Sequence, residues 1–499
     1  MPDLKVKLTA PNGTEYTQPT GLFISNEWVP SSDGGTITSI DPTTEEVITS
    51  VSAATESDID AAVRAAHRAF KSEWRSFEGT ARGALLYELA ALVDAHASTL
   101  AAIETWDNGK PYTVALTEDL VEVSAVLRYY AGWADKISGK VIDTTSAKLT
   151  YTLRQPLGVC AQIIPWNYPL AMAAWKLGPA LAAGNTVVLK AAEQTPLSIL
   201  YLAELVKKAG FPPGVVNVVN GYGRVAGAAL VQHPLVAKVA FTGSTATGKE
   251  IMKMAAGGLK NITLETGGKS PCLIFADADL DQAVKWAHVG IMSNMGQVCC
   301  ATSRIYVHED LYERFLEGFA ARVKEVSVIG SPWEEGTFQG PQVTKRQQER
   351  VLGYIEAGLS EGARLVTGGK EAAGQGKGFF VAPTVFADVR EDMQVVKEEV
   401  FGPVVTVSSF KDEDEVLARA NDTMYGLGAA VFTADIARAH RIAASLESGT
   451  VWVNSSNDGD FRVPFGGVKM SGIGRELGEA GLDGYTSTKA VMVNLGTRL

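Results

Sequence analysis

The sequence predicts an α/β protein of two units, the first built on a doubly wound parallel sheet. Three observations predict it. At 499 residues the chain is too long for a single hydrophobic core. From residue 159 onward, short β-branched runs alternate with stretches of helical periodicity, the pattern of parallel strands joined by crossover helices. The joints carry matching punctuation, since Thr195 and Pro196 supply an N-cap and a first-turn proline and Gly210 closes the helix after them.

Taken in order, the first part reads as helical. Ser57 with Asp60 opens a run with Ile59, Val63, Ala66 and Phe70 at helical spacing, and a second run goes from Leu85 through Leu89 and Leu92 to Ile103. Strands are then predicted at residues 160–164, 186–189, 215–219, 236–241 and 261–264. A second alternation follows, with strands at 272–275, 404–408 and 451–454 and a helix from about Leu280. The boundary between the two units falls near Gly267. The most apolar stretch, residues 159–183, is read as buried core, because Pro165, Pro169, Pro179 and Lys176 interrupt it as a membrane span.

Composition excludes several function classes. A formal net charge of -11 and the lack of any Lys/Arg block argue against a nucleic-acid partner. The four cysteines, Cys160, Cys272, Cys299 and Cys300, are too few for a disulfide framework, so reduced thiols and a cytoplasmic setting are expected. Neither a secretory nor a transit leader is seen from Met1 to Pro11. The end, Thr497-Arg498-Leu499, has a faint similarity to a peroxisomal address, with chance the preferred explanation. No metal site is expected, because adjacent cysteines suit one zinc ion poorly and the six histidines show no ligand spacing.

Four short stretches carry chemistry. In Gly296-Gln297-Val298-Cys299-Cys300 a thiol sits in a turn, where surrounding N–H groups favour the thiolate. Alone, it reads more readily as a small buried hydrophobe. In Phe241-Thr242-Gly243-Ser244-Thr245-Ala246-Thr247-Gly248-Lys249 a strand gives way to a helix through small residues, a cradle for phosphate or simply a tight turn. Glu250 spoils its match to a nucleotide-triphosphate loop. Leu264-Glu265-Thr266-Gly267-Gly268-Lys269 leaves a carboxylate at the C-terminal end of a strand, where open α/β sheets bind ligands. Pro165-Trp166-Asn167-Tyr168-Pro169 holds an amide between two prolines, as an oxyanion donor or a structural turn.

Together and in this order, these stretches resemble the aldehyde dehydrogenase superfamily over nearly the whole chain, and most closely its NAD-dependent, non-acylating, cytosolic-type members. Residues 176–185, 190–196, 398–403 and 464–467 add to the resemblance. It implies an NAD-binding domain (1–137 and 157–267), a catalytic α/β domain (268–468) and a small β oligomerisation flap (138–156 and 485–495), assembled as a homotetramer, with a dimer second. It implies Cys299 as nucleophile, Asn167 as oxyanion donor, Glu265 as the base that activates water on a thioester, and Lys176 with Glu476 as a proton relay. Cofactor contacts would come from Ile163, Pro165, Trp166, Lys190, Glu193, Gly223, Phe241, Gly243, Ser244, Glu399 and Phe401. Because Glu193 would repel a 2′-phosphate, NAD is expected over NADP. Tyr168, Met172, Trp175, Val298, Cys300 and Phe465 would line the route for a small-molecule aldehyde. Gly459, where relatives often carry an aromatic, and Met292, Asn294 and Met295 suggest a wider, more polar mouth.

Overall fold

The structure, a computed structural model, describes residues 4–370, 372 and 376–498; Met1 to Asp3 and Leu499, which the leader and C-terminal readings used, lie outside them. Strands Val159–Ile163, Thr186–Lys190, Val216–Val219, Val236–Thr242 and Asn261–Glu265 form the parallel centre of an eight-stranded sheet. Val159–Ile163 pairs with both Thr186–Lys190 and Val236–Thr242, so the winding direction reverses between the first and fourth of these strands. A crevice at that reversal, outside the strands' carboxyl ends, is where such sheets take ligands. The apolar stretch 159–183 resolves into one of these strands and the buried helix Pro169–Ala182.

The chain crosses to the second sheet between Glu265 and Pro271. That sheet orders Arg364–Thr367, Thr384–Ala387, Val404–Phe410, Arg304–His308, Pro271–Ile274, Gly428–Phe432 and Thr450–Val453, all parallel except the first. Gly472–Ile473 then returns to pair antiparallel with Asn261–Glu265 on the first sheet. A separate antiparallel sheet joins Val141–Thr145, Lys148–Pro156 and Thr486–Asn494. Val141, Ile142, Leu149, Leu153, Met492 and Val493 are exposed along it.

The sequence reading needs three corrections. The chain before residue 55 is strand rather than helix: two hairpins, Lys5–Thr9 with Glu15–Pro19 and Thr36–Ile40 with Val47–Ser52, flank Leu22–Ile24 and Glu27–Val29, which extend the first sheet. The run from Leu85 to Ile103 is two helices, Gly79–Ala95 and Ala97–Asn108, bent by 73° at His96. Finally, two caps differ. Thr55, not Ser57, caps helix Glu56–Lys71, its side chain accepting from the Asp58 N–H while the Asp58 carboxylate accepts from the Thr55 N–H. Thr195 does not cap helix Leu197–Lys208; the Asp107 carboxylate, reaching across from another helix, accepts from the Leu197 N–H at 3.0 Å. A distant carboxylate can satisfy an orphan donor that a local hydroxyl was expected to take.

The cap at Thr55 is testable. Thr55→Ala should cost about 1 kcal/mol locally, so amide exchange in the first turn of Glu56–Lys71 should quicken about fivefold by mass spectrometry.

Candidate active site

Four loops meet between the C-terminal edge of the first sheet and the N-terminal edge of the second. The Pro165–Pro169 turn follows strand Val159–Ile163, and Glu265 ends strand Asn261–Glu265. The cysteine loop precedes strand Arg304–His308, and Glu399 to Phe401 precede Val404–Phe410. Reading ligand sites from carboxyl edges therefore finds only half of this one. The other half comes from the amino edge of the second sheet.

After helix Leu280–Met292 the backbone runs left-handed through Asn294 (φ 47°), Met295 (φ 57°) and Gly296 (φ 68°), which turns the chain back and presents Cys299. A Cβ on Gly296 would lie 2.1 Å from the Gly402 carbonyl oxygen, so only glycine lets the cysteine loop meet the Glu399 loop. Likewise a Cβ on Gly267 would lie 2.3 Å from the Glu399 carboxylate, and one on Gly268 would lie 2.4 Å from the Cys299 carbonyl oxygen. Phe401 is itself left-handed (φ 60°), and its ring meets the Trp166 ring edge-on at 5.2 Å.

Asn167 is buried, and its Nδ2 donates to the Gln297 carbonyl at 2.8 Å, two residues before Cys299. That bond ties the amide to the cysteine loop and leaves its second N–H for another acceptor. The Asn294 amide donates to the Asn167 carbonyl at 3.1 Å, and the Asn108 amide to the Trp166 carbonyl at 2.6 Å. The Cys299 thiol is half-buried and packs in a cluster with Cys300, Leu427, Trp452, Val298 and Phe465. A hydrogen bond with the Cys300 thiol first, then burial, then the Glu399 charge push its pKa well up. The Cys300 backbone N–H pulls the other way, toward the thiolate, and is outweighed by the neighbouring thiol and burial.

Glu265 is buried, and neither of its oxygens finds a hydrogen-bond partner among the described residues. Burial first and the Glu476 carboxylate second raise its pKa well above the usual range, while Lys176 opposes them. Lys176 Nζ donates to Thr242 Oγ1 at 2.6 Å and meets Glu476 Oε1 at 2.7 Å, so the relay residues form a buried ion pair within electrostatic reach of Glu265. Glu399 accepts from the Gly268 N–H at 2.9 Å, and burial lifts its carboxyl to about 7.

Around the sheet reversal, Ser244 caps helix Thr245–Ala256 and accepts from the Thr247 N–H at 3.2 Å. Gly243 is pressed against the Phe241 ring, where a Cβ would come within 2.6 Å. Lys190 is buried with Nζ 3.4 Å from the part-exposed Glu193, while Gly223 is exposed with open space beside it. Ile163 is buried and Pro165 half-buried at the end of the first strand.

Of the residues expected to line the aldehyde's route, Tyr168, Trp175, Val298 and Phe465 are half-buried, and Met172 and Cys300 buried. Phe465 and Trp175 meet edge-on at 5.4 Å. Met292 and Met295 are fully buried, so they belong to packing and do not shape a mouth, and Asn294 is spent on Asn167. A Cβ at Gly459 would meet nothing within 4 Å. Sequence reading missed Trp452, Leu427, Asn108 and Glu122, which reach the site only through long-range packing.

The upward shift at Cys299 gives a pH test. Alkylation of Cys299 by iodoacetamide, followed by peptide mapping, should accelerate steadily up to pH 9; a plateau below pH 8 would show a depressed thiol instead.

With this geometry in view, comparison with known proteins is informative. The chain matches the aldehyde dehydrogenase family over residues 28–491. It is 52% identical over 492 residues to an aldehyde dehydrogenase of Alternaria alternata, covering 98% of each chain. It is 52% identical over 495 residues to one of Davidiella tassiana, covering 99% of each. Among solved structures, an NAD+ complex of aldehyde dehydrogenase from Bacillus cereus superposes with a TM-score of 0.94 at 51% identity, covering 96% of this chain and 97% of that one.

Proposed function

The chain belongs to the aldehyde dehydrogenase family, and from that premise we propose that it oxidises an aldehyde to a carboxylic acid with NAD, through a covalent bond to Cys299. The observation that carries this reading is the meeting of a thiol, a side-chain amide and an unpartnered buried carboxylate in one dry seam.

The Cys299 sulfur adds to the aldehyde carbon as its proton departs. Charge then gathers on the carbonyl oxygen, where the free N–H of Asn167 and the Cys299 backbone N–H would receive it, at roughly 3 kcal/mol per well-placed donor. NAD, when bound, accepts the hydride lost by the adduct carbon. What remains on Cys299 is a thioester. Glu265 takes a proton from water as the oxygen attacks the acyl carbon, the acid leaves, and the sulfur regains its proton. Once ionised, a carboxylate with a raised pKa is a stronger base than an ordinary one, and the Lys176–Glu476 pair offers a buried route for passing the proton on.

The residues around the sheet reversal fit a dinucleotide. Ser244 and the N-terminal turn of helix Thr245–Ala256 suit a pyrophosphate. Part-exposed Glu193 suits free ribose hydroxyls, which favours NAD over NADP. Glu399 and Phe401, pinned by Gly268 and Trp166, would hold the nicotinamide end. Glu265 also separates this reading from transfer of the acyl group to coenzyme A, which needs no water-activating base. The exposed apolar residues on the small sheet support a homotetramer, with a dimer second, and four unpaired cysteines suit a reducing cytoplasm.

Cys299→Ala should lower NADH formation from a panel of aldehydes by at least about a thousandfold, with far-UV circular dichroism unchanged. Retention of wild-type turnover would overturn the reading.

A further inference from the structure

We propose that Glu122 is a cation-recognising residue on the aldehyde's route, and that the preferred substrates are aldehydes carrying a protonated or quaternary amine. This rests on the aldehyde-oxidising reading above.

A chain of contacts leads from the reacting sulfur to this carboxylate. Cys299 packs in the same apolar cluster as Phe465, and Phe465 meets Trp175 edge-on at 5.4 Å. Trp175 Nε1 then donates to Glu122 Oε1 at 2.8 Å. Tyr168, expected on the same route, lies within electrostatic reach of Cys300 and of the carboxyl groups of Asp119, Glu118 and Glu122. The second Glu122 oxygen has no hydrogen-bond partner among the described residues and is not sealed from solvent. It remains free for a ligand.

An indole N–H is satisfied by any neutral acceptor, so holding Trp175 does not require a charge here. A carboxylate in a largely buried setting is costly unless a cation answers it. Among the described residues, the side-chain cation within electrostatic reach of Glu122 is Lys110, and it is spent elsewhere. The nearby Lys110 is fully buried, with Nζ paired to Asp119 and 3.6 Å from Glu104, and stacked 4.1 Å from the Tyr168 ring centre. Around it crowd the carboxyl groups of Glu104, Asp107, Glu118, Asp119 and Glu122, each held above its ordinary pKa chiefly by burial. Nor does Glu122 serve a free helix end, because helical turns run unbroken from Tyr112 to Trp133. Trp175, Phe465 and Tyr168 add ring faces that attract a cation. The route thus offers a carboxyl group and aromatic rings with no cation among the described residues paired to Glu122, and a positively charged substrate supplies one.

The test compares two aldehydes of equal shape, 4-(trimethylammonio)butanal and 5,5-dimethylhexanal, with wild-type protein and Glu122→Gln, which keeps an acceptor for Trp175 but loses the charge. The wild type should show kcat/KM at least about tenfold higher for the cation, and Glu122→Gln should bring the ratio to about one. Equal or reversed preference in the wild type, or an unchanged ratio in Glu122→Gln, overturns the proposal. A second arm measures calorimetric binding of the unreactive alcohols, 4-(trimethylammonio)butan-1-ol and 5,5-dimethylhexan-1-ol. If no aldehyde is oxidised, the activity reading fails, yet this arm still reads the cation site. Tighter binding of the charged alcohol that vanishes in Glu122→Gln supports it, and equal binding of both alcohols overturns it.

Discussion

Two sheet edges pressed together through glycine are the constraint on which this structure depends. At Gly267, Gly268 and Gly296 a side chain would collide with the Glu399 carboxylate, the Cys299 carbonyl and the Gly402 carbonyl. Since these approaches leave room for nothing larger than hydrogen, groups from residues 167, 265, 299 and 399 share one narrow seam. Part of the cost is backbone strain, with Asn294, Met295 and Phe401 left-handed, on the order of 1–3 kcal/mol each. All three flank the seam, so the strain is spent in the loops that present Cys299 and Phe401.

Dryness in the seam then sets the protonation states. Burial disfavours charge on Glu265 and Glu399, the Glu476 carboxylate adds to the effect at Glu265, and at Cys299 the neighbouring Cys300 thiol acts first and burial second. Lys176, paired with Glu476 and bonded to Thr242, is the cation that opposes burial at Glu265, which links that ion pair to the Glu265 carboxyl electrostatically.

How far the sequence could be read follows from which signals are local. Buried parallel strands such as Thr186–Lys190 and Val236–Thr242 are β-branched runs with turn residues at their ends, so they stand out. Gly428–Phe432 escaped because its Gly and Ala residues carry no strand preference, and Leu22–Ile24 because three residues make no pattern. Cys299, Glu265 and Asn167 were legible only through their family order, since each alone has a structural explanation. The raised thiol pKa was not legible, because it depends on packing against Cys300 and on Glu399, a hundred residues away. Asn108, Glu122, Leu427 and Trp452 were hidden for the same reason.

Dividing the chemistry between Cys299 and Glu265 is the central claim, and intact-mass spectrometry of Glu265→Gln mixed with NAD and an aldehyde tests it most directly. A stable mass increment equal to the acyl group, mapped to Cys299 and lasting over many wild-type turnover times, is expected. Unmodified protein that turns over at the wild-type rate would contradict it.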